Sequence, residues 1–114
     1  MKINGIGIDI FQVKYFRQKP FKSNTDLYGK IFTKKEIKYC LAKNDPCQHF
    51  AARFAAKEAI IKAGGLRLAS MNSLEISNNK TGRPYVEIKK HKVNILISLS
   101  HTKNYAVAFA IWLN

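Results

Sequence analysis

The residues best suited to chemistry lie in a helix-like segment, residues 50–65, where acids and bases stand among alanines. At about 100° per residue, Glu58 and Lys62 fall on one flank of this segment, next to the small residues Ala51 and Ala55. We expect these alanines to leave room for a ligand or a partner chain beside the charged pair. The simpler alternative is a surface ion pair at i,i+4 spacing, which contributes little to stability. The larger apolar residues form a core stripe beside this flank: Phe50, Phe54 and Ile61.

A second carboxylate, Asp9, lies in an alternating strand-like segment at residues 5–10. Its face of the strand carries two glycines, so we expect that face to be open to a ligand or to another backbone. A strand-end turn is the alternative explanation of Asp9. If Asp9 and Glu58 converge, the two carboxylates suit Mg²⁺, and an ion there could neutralise charge during phosphoryl transfer. Lys62, one turn from Glu58, could then reach a phosphate oxygen.

Ser100 and His101 follow one another at the end of a second strand-like segment. Adjacent strand residues point to opposite faces, which disfavours a serine hydrolase. In a basic chain, His101 is better explained as a phosphate or ribose contact, or as a turn residue.

The elements that must position these residues run in the order strand, helices, strands, which predicts an α+β fold in a single domain, residues 1–114. A capping box at Thr33 and Glu36 opens one helix, and Pro46 opens the long helix that ends at the glycines 64–65. Residues 66–72 read as a loop. Strands then follow at about 74–76, 84–88, 93–100 and 105–113.

The charge composition narrows the classes of molecule that the protein could bind. Twenty Lys and Arg against seven Asp and Glu give a net charge of +13, which attracts polyanions. No apolar run is long enough to span a membrane and no signal peptide is apparent, so we expect a cytoplasmic protein with reduced thiols at Cys40 and Cys47. A nucleic-acid-binding module is the rival class. It is disfavoured because Phe50 and Phe54 lie on a core stripe and no RNA-binding motif is present.

Several of these segments together resemble the holo-acyl carrier protein synthases, the small trimeric class of 4′-phosphopantetheinyl transferases. The resemblance extends from about Gly5 to Ile111, and the run Arg-Phe-Ala-Ala-Lys-Glu-Ala from Arg53, with Lys62, is its most specific part. The matching segments are residues 5–10, Phe32-Thr33 with Glu36, residues 50–64, 82–84 and 98–102, and Tyr105-Ala106.

The resemblance implies an antiparallel sheet with a long helix packed on it, assembled as a homotrimer with active sites between subunits. It implies transfer of the phosphopantetheine arm of coenzyme A to a serine of apo acyl carrier protein in fatty acid biosynthesis, with release of adenosine 3′,5′-bisphosphate. Asp9 and Glu58 match the magnesium ligands, and Lys62 matches a lysine near the reacting phosphates. The serine proton would pass to Glu58 or to a water molecule on the ion.

Arg53, Lys62 and His101 match residues of the coenzyme A site, with Thr102 a further candidate, and His101 is expected to reach in from a neighbouring subunit. The acidic carrier would dock on the basic residues that follow Asp9. These are Lys14, Arg17, Lys19 and Lys22.

Two positions depart from the family pattern. Tyr15 stands where the family usually has an arginine that grips the carrier, and Arg17 would point elsewhere on a helix. The glycine-rich loop after the long helix is replaced by the shorter, glycine-free residues 66–70, where Arg67 offers a charge instead.

Overall fold

A computed structural model describes residues 2–64, 68–89 and 91–114. The predicted loop at 66–72 therefore lies partly outside the described residues, as does Arg67. The chain opens with strand β1 (Ile3–Gln12), followed by helices α1 (Lys14–Arg17), α2 (Thr25–Ile31), α3 (Lys34–Leu41) and α4 (Pro46–Gly64). Two short 3₁₀ segments lie at Phe21–Ser23 and Leu68–Ser73. The remaining strands are β2 (Leu74–Asn78), β3 (Pro84–Ile88), β4 (His91–Lys92), β5 (Ile95–His101) and β6 (Tyr105–Leu113).

Two three-stranded antiparallel sheets share this framework. One has the strand order β1-β6-β5 and the other the order β2-β3-β4. Helix α4 packs across β1 and β6. The prediction of an α+β fold with a long helix on an antiparallel sheet is confirmed.

The glycines of β1 allow the backbone of α4 to lie directly on the sheet. A Cβ added to Gly7 would lie 1.9 Å from the Ala59 carbonyl oxygen, and one added to Gly5 would lie 1.9 Å from that of Ala63. The glycine face of β1 is therefore covered by a helix, and of the two alternatives expected for this face, a ligand or another backbone, the structure shows close approach of another backbone.

The opposite face of the same sheet carries large apolar side chains that point to solvent. Ile6, Ile8 and Ile10 are 61 to 65% exposed. On β6, the alanines face α4 and are buried, whereas Tyr105, Val107 and Phe109 face outward. The strand predicted at 105–113 is thus half-buried with its small residues inside, because only small residues fit under the close-packed helix. The other exposed large residues of this sheet face are Leu96, Tyr105, Val107 and Phe109.

Helix α4 is buried around most of its circumference. Phe50 is in the core, while Phe54 and Ile61 are only partly buried. Ala51 and Ala55 have no exposed surface, so the proposal that they make room beside Glu58 and Lys62 was wrong. They are small because neighbouring elements pack tightly against the helix there.

A fully buried ion pair joins α4 to α3. The Lys57 ammonium contacts Glu36 Oε1 at 2.7 Å and also donates to the carbonyls of Ile31 and Met71. The predicted capping box is confirmed, with Glu36 Oε1 accepting from the Thr33 N–H, and Glu36 Oε2 accepts from the Ile76 N–H at 2.7 Å. The Lys57 ammonium therefore has three hydrogen-bond acceptors and both Glu36 oxygens have donors, as burial of an ion pair requires.

Residues 11–31 begin with the end of β1 and then form α1, a 3₁₀ turn and α2. Asn24 precedes α2, but its side-chain amide donates to the Pro20 carbonyl and does not cap the helix. Pro46 begins α4 as predicted. No helix in the described part of the chain is long and apolar enough to span a membrane.

Candidate functional site

Asp9, Glu58 and Lys62 meet where β1 passes under the second half of α4. The Lys62 ammonium lies 3.2 Å from Asp9 Oδ1 and donates to the Ile8 carbonyl at 3.0 Å. Lys62 thus makes its ion pair with Asp9 across two elements. The surface Glu58–Lys62 pair considered from the sequence is not formed. The three side chains are brought together as the sequence predicted.

Glu58 is partly buried, and its pKa is raised by that burial first and by the nearby Asp9 carboxylate second, while Lys62 opposes the shift. Two carboxylates close enough to repel each other, with a lysine that contacts only one of them, form an oxygen-rich set that fits Mg²⁺. No group of three or more His, Cys, Asp or Glu able to hold a metal occurs among residues 2–64, 68–89 and 91–114. Mg²⁺ is commonly held by one or two carboxylates plus substrate oxygens, so a pair suffices.

A second site is built around Arg53, which is only 3% exposed. Its guanidinium lies 4.0 Å from the centre of the Tyr39 ring, and Nη2 donates to Asn78 Oδ1 at 3.2 Å. Nε has no hydrogen-bond partner, and no carboxylate in the described ranges pairs with this cation. A buried cation held by an aromatic ring and an amide is a ready site for an anion.

Arg53 lines a cavity of about 460 Å³ that is rich in positive and neutral donors and has no acidic residue in its wall. His101, at the end of β5, lines the same cavity, and its ring meets that of His49 edge-on at 5.0 Å. The pKa of His49 is lowered, first by burial and then by the neighbouring His101, Lys43 and Arg53. Arg53 and His101 are therefore together, as predicted for a shared ligand.

The two sites are separate within one chain, because Asp9, Glu58 and Lys62 do not line the cavity of Arg53 and His101. Thr102 does not line that cavity either. Its hydroxyl accepts from the N–H groups of Asn104 and Tyr105, which fixes the turn between β5 and β6.

The proposed docking cluster is also altered by the structure. Arg17 makes two bonds to the Asp45 carboxylate, at 2.7 and 3.1 Å, and a third to the Lys103 carbonyl. Arg17 is therefore not free to bind a carrier protein. This agrees with the expectation that Arg17 points away from the position of the family's arginine. Lys19 lies over the Tyr15 ring at 5.1 Å, while Lys14 remains exposed.

Sequence reasoning missed several residues of the Arg53 cavity, because they come from three different elements. Tyr39 lies on α3, His49 on α4 and Asn78 at the end of β2. The available signal was the position of His49, one helical turn before Arg53, which places both side chains on the same side of α4. Tyr39 and Asn78 carry no comparable signal.

Comparisons with known proteins agree with this geometry. A family model described as the 4′-phosphopantetheinyl transferase superfamily matches residues 5–110. A holo-[acyl-carrier-protein] synthase of Thermodesulfovibrio yellowstonii is 42% identical over 96% of this chain and 97% of its own, and one of Protochlamydia amoebophila is 39% identical over 95% and 96%.

Solved structures resemble the fold over nearly the full length. A holo-(acyl-carrier-protein) synthase of Bacillus anthracis in complex with CoA (3′,5′-ADP) has a TM-score of 0.78 at 29% identity, covering 96% of this chain and 95% of that one. The enzyme from Neisseria meningitidis has a TM-score of 0.84 at 26% identity, covering 99% and 100%.

Proposed function

The chain belongs to the 4′-phosphopantetheinyl transferase superfamily, with holo-acyl carrier protein synthases among its relatives, and we propose that it carries out their reaction. It would transfer the 4′-phosphopantetheine moiety of coenzyme A to a serine of apo acyl carrier protein, with Mg²⁺ as cofactor. Adenosine 3′,5′-bisphosphate would be the released product, and fatty acid biosynthesis the process served. We further propose a cytoplasmic location, in line with the free thiols of Cys40 and Cys47.

The observation that carries this proposal is the meeting of Asp9, Glu58 and Lys62. Phosphoryl transfer needs positioned charge more than covalent chemistry, and this cluster offers two carboxylates and one ammonium at the junction of a strand and a helix. Asp9 and Glu58 would hold Mg²⁺, which when bound neutralises charge on the pyrophosphate. Lys62, about half exposed, can turn from Asp9 to a phosphate oxygen.

In the proposed step, the serine oxygen of the carrier forms a bond to the phosphorus on the pantetheine side of the pyrophosphate. The bond from that phosphorus to the bridging oxygen breaks, and the adenosine bisphosphate leaves with that electron pair. The serine proton passes to a base near the cluster. Glu58, which lies partly buried beside Asp9, is one candidate for that base.

Arg53 and His101 would bind a phosphate group of coenzyme A in the cationic cavity. The buried guanidinium lacks a carboxylate partner within the described ranges, and a ligand phosphate supplies the missing charge. Thr102 would contribute through its backbone or by opening the turn, since its hydroxyl is engaged there.

A homotrimer explains why the two sites are separate in one chain. The outward sheet face carries contiguous apolar residues from β1, β5 and β6, a surface that favours burial against other subunits. The Arg53 and His101 cavity of one subunit would then face the carboxylates of its neighbour. The acidic carrier protein would be attracted by the +13 charge and would dock near Lys14, Lys19 and Lys22.

The test of the reaction combines the protein with apo acyl carrier protein, coenzyme A and Mg²⁺, and measures the carrier by mass spectrometry. We expect a mass gain of one phosphopantetheine group. Asp9→Asn and Glu58→Gln should abolish it, while Asp26→Asn, an exposed aspartate on α2, should retain it. A wild-type protein that leaves the carrier unmodified, when a known synthase modifies the same sample, would refute the proposal.

The test of the shared site mixes two inactive variants, Glu58→Gln and His101→Ala, after unfolding and refolding them together. If each site takes residues from two subunits, some sites in the mixed trimers contain neither substitution and activity returns. Each variant refolded alone is the control. Mixed assemblies that stay inactive would show that both residues must come from the same chain.

A further inference from the structure

A chain of polar side chains reaches from α1 to His101 and ends at the cationic cavity. The Arg17 guanidinium binds both oxygens of Asp45, at 3.1 and 2.7 Å. Asp45 Oδ2 also accepts from Gln48 Nε2 at 2.9 Å. Gln48 Oε1 in turn lies 2.7 Å from His101 Nδ1. Three elements, α1, α4 and β5, are therefore tied to one another through Gln48.

The direction of each bond is fixed by the first member of the chain. Hydrogen bonds from Arg17, and from the side chain and backbone of Gln48, lower the pKa of Asp45, so Asp45 is a carboxylate and can only accept. Gln48 must then present its NH₂ group to Asp45, which leaves its oxygen toward His101. Because an amide oxygen only accepts, His101 must carry a proton on Nδ1.

This proton position decides what His101 can offer to a ligand. With Nδ1 held by Gln48, the ring nitrogen on the far side, Nε2, is left for the cavity, where it acts as a donor when the ring is charged. His49, edge-on at 5.0 Å, limits how far the His101 ring can rotate about its own axis. The His101 ring is thus held from two sides by residues of the first turn of α4.

We propose that Gln48 is a positioning residue, which holds the Nδ1 proton of His101 and aims Nε2 at a phosphate group in the cavity. The identity of that ligand, coenzyme A, rests on the proposed function. Arg17 and Asp45 act on His101 only indirectly, because they fix the orientation of the Gln48 amide. In this role Gln48 touches neither the ligand nor the reacting atoms.

The experiment compares wild type with Gln48→Met, which keeps the side-chain length and removes both bonds, and with Gln48→Glu, which keeps an acceptor for His101. The exposed Gln18→Met is the matched control. ¹⁵N NMR of histidine-labelled protein reports which ring nitrogen carries the proton, and calorimetry reports the Kd for coenzyme A. We expect Gln48→Met to lose the uniform Nδ1–H signature and to weaken coenzyme A binding by about three- to tenfold, the loss of one hydrogen bond.

Gln48→Glu should recover the Nδ1–H signature, because a carboxylate also accepts from His101, and Gln18→Met should match wild type in both measurements. Gln48→Met with a wild-type proton position, or with a changed proton position but unchanged Kd, would overturn the proposal. If Gln48→Met fails to fold, a Gln48→Glu protein without the Nδ1–H signature overturns it instead. Wild type that binds no coenzyme A would refute the proposed function, while the NMR signature of the wild type still decides the proton position.

Discussion

Replacing Gly7 by alanine tests whether the contact between β1 and α4 sets the geometry of the carboxylate cluster. An added Cβ would lie 1.9 Å from the Ala59 carbonyl oxygen, whereas ordinary contact begins at 3.4 Å. The obstacle is backbone, so no side-chain rotation can relieve the clash. Helix α4 must therefore retreat from the strand by about 1.5 Å, the difference between these distances.

Glu58 and Lys62 travel with the helix, whereas Asp9 stays with the strand. A bond of 3.2 Å between Lys62 and Asp9 does not survive a retreat of that size. Misplacement of about 1 Å can lower a catalytic rate by roughly 100-fold, so we expect a loss in kcat/KM of about that magnitude or more. Overpacking should also lower stability by about 1–3 kcal/mol.

The assay follows carrier modification by mass spectrometry and Tm by circular dichroism, where the expected drop is roughly 4–12 °C. Gly29→Ala is the matched control, because a Cβ at this helical glycine of α2 meets nothing within 4 Å. It should keep wild-type activity and gain about 0.4–1 kcal/mol in stability. Gly7→Ala with wild-type kcat/KM would refute the view that backbone contact sets the site.

Three further substitutions test separate parts of the structure. Lys57→Met leaves the Glu36 carboxylate buried without its cation, so the free energy of unfolding in urea should fall by about 3–5 kcal/mol. Combining it with Glu36→Gln should recover part of this loss. A Lys57→Met protein as stable as wild type would contradict the structural role of the pair. Ile8→Lys places a charge on the outward sheet face and should yield monomers in analytical ultracentrifugation. The control Leu41→Lys, on α3, should leave the assembly unchanged. Trimers in both variants would contradict the assignment of this face to the contact between subunits. Because the pKa of His49 is lowered in the folded protein, this histidine binds a proton more readily in the unfolded state, and wild type should lose stability as the pH falls below 6.5. His49→Phe should lose less stability over the same pH range. Equal losses of the two proteins in unfolding experiments at different pH would show that His49 is not the cause.

The sequence predicted the fold well where local signals and global packing agree. Thr33 and Glu36 form the capping box that their spacing indicates, and Pro46 begins α4. Strand β3 has the predicted bounds because turn residues flank it closely. In each case the deciding interaction lies within a few residues along the chain.

The sequence misled where a long-range contact decides. Alternation showed that Gly7 and Asp9 share a face, but not that a helix would cover this face. Helical periodicity placed Ala51 on a flank without showing that the flank is buried. The burial of Lys57 was not anticipated, since its anion, Glu36, lies 21 residues away along the chain.

The candidate site was predicted in part. Asp9, Glu58 and Lys62 do meet, and Arg53 lies with His101, as the resemblance implied. The positions of Gln48 and Asp45 could not be inferred, because their partners come from α1 and β5. Orientation of a histidine ring depends on hydrogen bonds across the fold, which no local pattern records.

The Lys57–Glu36 pair also bears on how the protein folds. Lys57 bonds to the carbonyls of Ile31 and Met71, and Glu36 bonds to the Ile76 N–H, so five elements of the chain meet at two side chains. A half-assembled chain, with α4 docked and α3 still detached, would leave the Lys57 ammonium in a dry interior without its carboxylate, at a cost of several kcal/mol. Such intermediates are disfavoured, so α3, α4 and β2 should open together in hydrogen exchange, as one cooperative unit.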